Sequence, residues 1–251
     1  MGTARIGCAS WSIPRQEADA FPDAGSHLER YAQVFNCVEI NSSFYRPHQR
    51  KTYERWAATV PDDFLFSVKL PRTITHEARL AGCDELLARF ADEVDGLGAK
   101  LGCLLVQMAP RHAFDHAIAD AFFHALRTRF GCLLACEGRH PSWFGVNASN
   151  LLHEQGIVRV IADPPIGDAG PYRPTASACY IRLHGSPQVY YSAYSAERLR
   201  KIAAFIHEQD QSWCIFDNTA AGAAVPDALA LCAMRQPGQG IKPGTEASRQ
   251  P

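Results

Sequence analysis

The sequence lacks the features that mark membrane proteins and dedicated binders of polyanions. No apolar stretch reaches about 18 residues, so neither a transmembrane helix nor a membrane partner is predicted. The formal net charge is −1 and the isoelectric point is about 6.8, which gives no electrostatic reason to expect nucleic acid as the main partner. A local basic patch could still hold the end of a nucleic acid. The N-terminal residues enter an apolar run almost at once, and we expect no signal peptide.

Several short motifs with known chemistry are also missing. No CxxC pair occurs among the nine cysteines, most of which lie in or beside apolar runs. An odd number of thiols in such positions indicates free, buried cysteines and a reducing, cytoplasmic location. No GxGxxG or Walker motif follows the first apolar run, which disfavours an open, doubly wound nucleotide-binding sheet. HxH and HExxH pairs, which would indicate a metal centre, are absent as well.

What the chain does contain is a repeat of short apolar runs, each ending in charged or amide side chains. Such runs suit parallel strands that are covered on both faces. The active sites of (β/α)8 enzymes lie at the C-terminal ends of their strands. We therefore predict an α/β protein with a single (β/α)8 TIM-like barrel over residues 1–236, followed by a Pro- and Gly-rich, disordered tail over residues 237–251. The eight runs are residues 5–11, 37–45, 65–71, 103–110, 133–140, 159–165, 179–185 and 213–219.

The segments between the runs show helical periodicity. Leu87, Phe90 and Val94, for example, recur at steps of three and four and predict one apolar helix face. The helix expected after the fifth run is the weakest, because residues 150–154 offer barely one turn.

Strand side chains alternate between the two faces of a sheet, so residues two apart share a face. Counting from the apolar positions predicts a polar set that faces the barrel interior near the strand ends. Burying so many ionisable groups costs several kcal/mol for each uncompensated charge. We therefore interpret the set as a functional site and not as a salt-bridge network that only stabilises the fold. Its members are Glu39, Asn41, Lys69, Gln107, Glu137, Arg139, Asp163, Arg182, His184 and Asp217.

The fragments EINSSFYR, VKLPRTITH, VQMAPRH, CEGRHPSWF, ADPP, YIRLHG and FDNT, in this order, resemble the DUF72 or YecE-like family. The resemblance implies a TIM-barrel fold and a relation to sugar isomerases, but no settled activity. It adds Tyr45, His76, His140, Trp143 and Asn218 to the candidate site. The chain departs from the family pattern at Ala109, Gly138 and Asp217, and the last change places a carboxylate where an amide is common.

These residues predict acid/base chemistry on a small anionic or sugar-like substrate. Glu39 or Glu137 is a candidate general base, and Lys69 or His184 a candidate general acid or electrophile. Asp163 completes the catalytic set. The predicted substrate-binding residues are Asn41, Tyr45, His76, Gln107, Arg139, His140, Trp143, Arg182, Asp217 and Asn218.

Lys69 has two further interpretations. It could form a Schiff base if Arg139 or Arg182 lowers its pKa. We expect instead an ion pair with a carboxylate of a neighbouring strand. The tyrosine-rich segment 190–194 is the predicted lid of the site.

Other function classes stay open. Glu39, Glu137, Asp163 and His184 could ligate a divalent cation in a sugar-isomerase-like or phosphodiesterase-like barrel, but the nearby cations would repel it, and no cofactor is predicted. Two inward carboxylates also allow glycoside hydrolysis. Alternatively, the same rim could bind a small anion or a nucleic-acid end without catalysis. The sequence does not indicate an oligomeric state.

Overall fold

The computed structural model describes residues 2–166 and 174–235, so the predicted tail lies outside the described residues. Strands and helices alternate along the chain, as predicted. The strands are β1 (Thr3–Cys8), β2 (Cys37–Ile40), β3 (Leu65–Lys69), β4 (Leu101–Gln107), β5 (Leu133–Glu137), β6 (Val158–Arg159), β7 (Ile161–Asp163), β8 (Ala178–Leu183) and β9 (Gln211–Phe216). The α-helices are α1 (His27–Ala32), α2 (Arg50–Ala58), α3 (Asp84–Val94), α4 (His116–Arg129), α5 (Val146–Glu154), α6 (Ala196–His207) and α7 (Ala224–Arg235).

Short helical turns sit in several connections. They are the 3₁₀ turns Arg15–Ala20, Ser42–Phe44, Asp95–Lys100 and Pro141–Phe144, and the π turn Thr73–Glu77. α5 is longer than the single turn that the sequence predicted, because it begins directly after Gly145. Among the described residues, no helix is long and apolar enough to cross a membrane.

Every paired strand is parallel to its neighbour, in the orders β1-β9-β8-β7 and β2-β3-β4-β5-β6. The sixth apolar run was predicted as one strand, but it divides at Val160 into β6 and β7. β6 pairs with β5, whereas β7 pairs with β8. The Val160 N–H still donates to the Cys136 carbonyl. One continuous segment of chain therefore joins the two sheets.

Side chains join the two sheets at the opposite junction, between β1 and β2. The Tyr31 hydroxyl accepts a 2.7 Å hydrogen bond from the Cys8 N–H and donates at 3.1 Å to the Cys37 carbonyl. Gly7 allows this close approach, since an ideal Cβ there would lie 2.1 Å from the Cys37 carbonyl oxygen. The strands thus surround a common interior, and the predicted α/β class of TIM-barrel type is confirmed.

The apolar core has an inner and an outer part. The outer part lies between strands and helices and includes the predicted α3 face of Leu87, Phe90 and Val94. The inner part fills the interior, and its members include Cys37, Cys103, Leu105, Ala135, Val158, Val160, Tyr180, Trp213 and Ile215. Toward the C-terminal ends of the strands, polar side chains replace this apolar filling, and they form the candidate site.

Candidate functional site

Arg182 on β8 is the centre of a buried ionic network. Its Nε and Nη2 atoms donate to the two Glu39 carboxylate oxygens at 3.0 and 2.7 Å, which is a bidentate pair. Nη1 donates to Glu137 Oε2 at 2.7 Å, and Nη2 also donates to Asp217 Oδ2 at 2.9 Å. Four side chains from β2, β5, β8 and the end of β9 therefore meet at one guanidinium, as the alternation predicted.

His184 lies between two carboxylates of this network. Its Nδ1 is 3.0 Å from Asp217 Oδ2 and its Nε2 is 3.0 Å from Glu137 Oε1. Burial opposes a charged imidazole, but the hydrogen bonds to Asp217 and Glu137 outweigh it and raise the pKa of His184. A ring with a carboxylate at each nitrogen is an imidazolium that donates twice.

Two carboxylates of the network, those of Glu137 and Asp217, have lowered pKa values. Burial would raise the pKa of Glu137, but Arg182 and His184 lower that pKa well below its usual range. Gln107 also donates to Glu137, at 2.9 Å. Arg182 and His184 likewise lower the pKa of Asp217 against the effect of burial. Glu39 and Glu137 are fully buried and already accept hydrogen bonds at both oxygens, so their geometry disfavours the general-base role predicted for them.

Two members of this cluster were missed from the sequence. The Tyr180 hydroxyl lies 2.9 Å from Glu39 Oε2 and 2.7 Å from Ser67 Oγ. The same alternation that identified Arg182 and Lys69 points to these two positions, each two residues earlier on its strand. Their neutral side chains concealed them in a search for charges.

Lys69 at the end of β3 is unlike the other buried ions. Its ammonium nitrogen lies 4.2 Å from the centroid of the Phe44 ring. No carboxylate oxygen among the described residues lies within 4.0 Å of it, so the predicted ion pair is wrong. Arg182 already takes the carboxylates that could have paired with this amine. Burial, and then the charge of Arg182, lower the pKa of Lys69 to about 8.

His76 lies against the same aromatic ring. The His76 and Phe44 ring centroids are 4.9 Å apart in an edge-to-face arrangement. Nδ1 of His76 is 2.9 Å from the Thr75 hydroxyl, which leaves Nε2 as the nitrogen available to a ligand. Burial and the charge of Lys69 lower the pKa of His76, so its imidazole is neutral near pH 7.

Arg139 and Gln107 complete the partly accessible surface above the network. Arg139 keeps only a 3.4 Å contact with Glu137, and its side chain is 15% exposed. Gln107 is 8% exposed. By contrast, Glu39, Glu137, Arg182 and His184 are at most 1% exposed. A ligand entering the mouth would therefore meet Lys69, Arg139 and Gln107 before it met the buried ions.

Asp163 does not belong to this site, and its predicted inward orientation is wrong. β7 aligns Ala162 with the inward Arg182, whereas Asp163 aligns with Leu183 of the outer core. The Asp163 carboxylate accepts hydrogen bonds from Arg198 on α6, at 2.9 and 2.7 Å. Ala162 fits either face, so the alternation alone left the choice open.

Two other predicted binding residues, Trp143 and His140, make hydrogen bonds within the protein. Trp143 is buried, and its indole N–H donates to the His112 carbonyl at 2.9 Å. Nδ1 of His140 is 2.8 Å from the Ser142 hydroxyl within one turn. Asn41 begins the 3₁₀ turn that carries Phe44. Tyr45 follows this turn on the rim and is 70% exposed.

The predicted lid covers His184. The Tyr190 ring meets the imidazole edge-to-face at 5.8 Å, and Tyr190 is 41% exposed. The Asn218 amide, predicted to bind substrate, is buried and donates to the Ser192 carbonyl at 3.0 Å and to Asp227 at 2.7 Å. Asn218 therefore anchors the lid.

The donor set does not fit a divalent metal ion. The three carboxylates converge on Arg182, whose cationic group occupies the position between them. Asp163, a predicted alternative ligand, faces away from the interior. Within the part of the chain that the structure describes, no three His, Cys, Asp or Glu side chains are grouped so that they could hold a metal.

Comparisons with known proteins agree with this architecture. Residues 5–250 match the family model described as "Protein of unknown function DUF72". The UPF0759 protein YecE of Escherichia coli K12 is 33% identical over 174 residues, which are 66% of this chain and 62% of YecE. The aligned region thus spans less than two thirds of that relative.

Solved structures share the fold. A DUF72 family protein of Enterococcus faecalis V583 has a TM-score of 0.76 at 20% identity, over 98% of this chain and 100% of that chain. A second, from Thermotoga maritima MSB8, has a TM-score of 0.75 at 24% identity, over 92% and 98%. D-psicose 3-epimerase of Clostridium cellulolyticum H10 has a TM-score of 0.52 at 9% identity, over 92% and 98%, which shows similarity of fold alone. Because the family model matches nearly the whole chain, the chain belongs to the DUF72 family.

Proposed function

We propose that this protein is an enzyme that binds a small anionic or sugar-like molecule at the barrel mouth and transfers protons to and from it. The observation that carries this proposal is the state of Lys69. Its amine is buried at the C-terminal end of a strand, has no carboxylate partner among the described residues, and has a pKa of about 8. A proton carrier is most efficient when its pKa lies near the working pH.

The charge balance of the site favours an anionic ligand. Glu39, Glu137 and Asp217 contribute three negative charges, which Arg182, Arg139 and the His184 imidazolium balance. Lys69 therefore decides whether the site is neutral or carries one positive charge. A bound anion would stabilise protonated Lys69, and by linkage protonated Lys69 would strengthen binding of the anion.

The buried network has a separate role in this proposal. Its charges are fixed by short hydrogen bonds and removed from solvent, so they do not reorganise during a reaction. The network positions Arg139 and Gln107 through Glu137. Lys69 and His76, whose amine and Nε2 are not held by carboxylates, would move the protons.

Rim aromatics extend the proposal to sugar-like substrates. Tyr45 and Tyr190 are largely exposed beside the polar site. Aromatic faces can pack against the apolar face of a sugar ring. The epimerase is similar in fold alone and is no evidence for the chemistry of this chain. The sugar-like substrate class therefore rests on these side chains alone.

The test is carbon-bound hydrogen exchange in D2O. Wild-type protein is incubated near pH 8 with hydroxy acids, oxo acids, sugars and sugar phosphates, and ¹H NMR follows deuterium entry or net conversion. We expect exchange with at least one compound, lost in Lys69→Met and kept in Lys201→Met, whose lysine is a surface residue. Compounds that stabilise the protein thermally without exchange or conversion would instead indicate a non-catalytic binder.

A further inference from the structure

We propose that Lys69 acts as a nucleophile and forms an imine with a small carbonyl compound that carries an anionic group. This inference rests on the proposed function, because it assigns a covalent role to the same amine. It also narrows the substrate class to anionic aldehydes and ketones, such as oxo acids or phosphorylated carbonyl compounds.

The surroundings of Lys69 meet the requirements of an amine nucleophile. An amine attacks only when its nitrogen lone pair is free of a proton and of a competing hydrogen-bond donor. Phe44 covers one side of Lys69 at 4.2 Å, and Arg182 is the nearby charge that most disfavours a second cation. Lys69 is 5% exposed at the C-terminal end of β3, so its amine is largely shielded from bulk water.

The lowered pKa of Lys69 supports the same role, because it fixes the fraction of amine that is neutral, and that fraction can be measured. At pH 8 about half of the Lys69 amines are neutral, since the pKa is about 8. An ordinary lysine with a pKa near 10.4 is neutral in roughly one molecule in 250 at the same pH. Lys69 therefore has an advantage of about two orders of magnitude in reactive amine, before access is considered.

The chemistry balances with groups that are present. The Lys69 nitrogen bonds to the carbonyl carbon, and the C=O π electrons move to oxygen. One proton passes from the nitrogen to that oxygen and gives a carbinolamine. The nitrogen lone pair then expels the hydroxyl, which leaves as water after taking a second proton. The product is a protonated imine, and the overall change consumes one proton and releases one water.

His76 is placed to carry the protons of these steps. Its ring shares the Phe44 surface with Lys69, and its lowered pKa leaves it neutral and able to accept a proton near pH 7. The bond between Nδ1 and Thr75 fixes the ring orientation. Nε2 would take the proton from the attacking nitrogen and return one to the departing oxygen.

Arg139 accounts for the anionic group of the substrate. Its guanidinium is only loosely engaged by Glu137 at 3.4 Å and is partly exposed. A carboxylate or phosphate can take both arms of a guanidinium in a bidentate contact. Attraction to Arg139 and to the charge of the site would select anionic carbonyl compounds over neutral ones.

Borohydride trapping tests the inference on the full chain. Wild-type protein at pH 8 is mixed with glyoxylate, pyruvate or glyceraldehyde 3-phosphate and reduced, and peptide mass mapping locates the secondary amine. We expect an adduct on Lys69 with at least one probe, at least about tenfold above Lys201, given the difference in neutral fraction. Propanal, which has no anionic group, should label Lys69 far less.

Two measurements avoid dependence on a lysine variant that fails to fold. The pH profile of wild-type trapping should have its midpoint near the Lys69 pKa of about 8. His76→Gln should form the adduct about tenfold more slowly at unchanged selectivity. The control, His124→Gln on the exposed part of α4, should match the wild type.

Adducts confined to exposed lysines, with Lys69 unmodified by every probe, would overturn the inference. Deuterium exchange distinguishes this failure from failure of the proposed function. If exchange occurs but no adduct forms, the imine is excluded and the proposed acid/base function stands. If neither exchange nor an adduct is found, both proposals are excluded.

Discussion

Arg182 and Glu39 are 143 residues apart in sequence and form a bidentate pair across the barrel interior, with N–O distances of 3.0 and 2.7 Å. The pair connects the two sheets at the level of the candidate site. Arg182 is at once the partner of three carboxylates and the repelling neighbour of Lys69. One guanidinium therefore contributes both to the stability of the site and, together with burial, to the charge state of its reactive amine.

Arg182→Met should destabilise the protein strongly. Removing one partner of a buried ionic cluster leaves unpaired charges, which costs about 3–5 kcal/mol. Chemical denaturation would measure the free energy of unfolding. Arg50→Met is the matched control, since that side chain is half exposed and its partners Glu54 and Asp95 are also exposed, and its loss should cost about 1 kcal/mol or less. Equal effects of the two changes would contradict the central place of Arg182.

Stability should depend on pH in both directions. The raised pKa of His184 contributes stability that is complete below its ordinary value of 6.5 and is lost as pH rises through the folded-state pKa. The lowered pKa values of Glu137 and Asp217 contribute stability that is present above their ordinary values of 4.5 and 3.8 and is lost as pH falls through the folded-state values. These three groups together stabilise the fold most between about pH 4.5 and 6.5, whereas the lowered pKa of Lys69 adds stability as pH rises above about 8.

His184→Gln is the variant that isolates the alkaline side of this profile. The stability of the wild type relative to this variant should fall as pH rises from 5 to 9, because the titration of Lys69 contributes equally to both proteins. His153→Gln, in the last turn of α5, is the control, and its stability relative to the wild type should not change with pH. A difference between the wild type and His184→Gln that is independent of pH would contradict the assigned imidazolium.

Phe44→Leu should shift the reactivity of Lys69 toward lower pH. Leucine keeps the site apolar but removes the ring that stabilises the ammonium form, a contribution of about 0.5–1 kcal/mol. The pKa of Lys69 should therefore fall by about half a pH unit. The pH profile of amine trapping measures it. If the midpoint rose instead, the effect of Phe44 in burying the amine would be larger than the effect of its ring in stabilising the ammonium ion.

Gly185→Ala should disturb the lid. Gly185 has φ of +93°, and an added Cβ would lie 2.8 Å from the Ser192 carbonyl oxygen. The strained backbone costs about 1–3 kcal/mol, and the loop around Tyr190 should exchange its amide hydrogens faster. Hydrogen exchange by mass spectrometry checks this result. Gly131→Ala is the control, since nothing lies within 4 Å of its added Cβ. An unchanged lid would contradict the close packing of Gly185 against Ser192.

The sequence predicted most of the fold because buried parallel strands leave continuous apolar runs. Alternation along those runs also identified Glu39, Glu137, Arg182, His184 and Asp217, all of which meet in the structure. The predicted free, buried cysteines agree with the nine free thiols observed. Their cytoplasmic location stays a prediction.

Pairing and long-range partners could not be predicted in the same way. Asp163 was misplaced because Ala162, which fits either face, left the orientation of this run open. The division of the sixth run between two sheets at Val160 is likewise recorded in no local pattern. Trp143 and Asn218 were assigned to substrate, but the indole N–H donates to the His112 carbonyl and the amide N–H donates to the Ser192 carbonyl, 31 and 26 residues away in sequence. Lys69 has no ion pair among the described residues because Arg182 binds the carboxylates that could have paired with it. That arrangement exists only in the folded interior, so the sequence could not indicate it.

Titration of Lys69 by NMR, with ¹³C-labelled lysine and assignment by Lys69→Arg, tests the central claim most directly. The account predicts that one lysine signal titrates near pH 8 and moves to higher pH when inorganic phosphate is added. If Lys69 instead titrates near 10.4 with the exposed lysines and ignores phosphate, the amine is an ordinary surface cation and the proposed chemistry is contradicted.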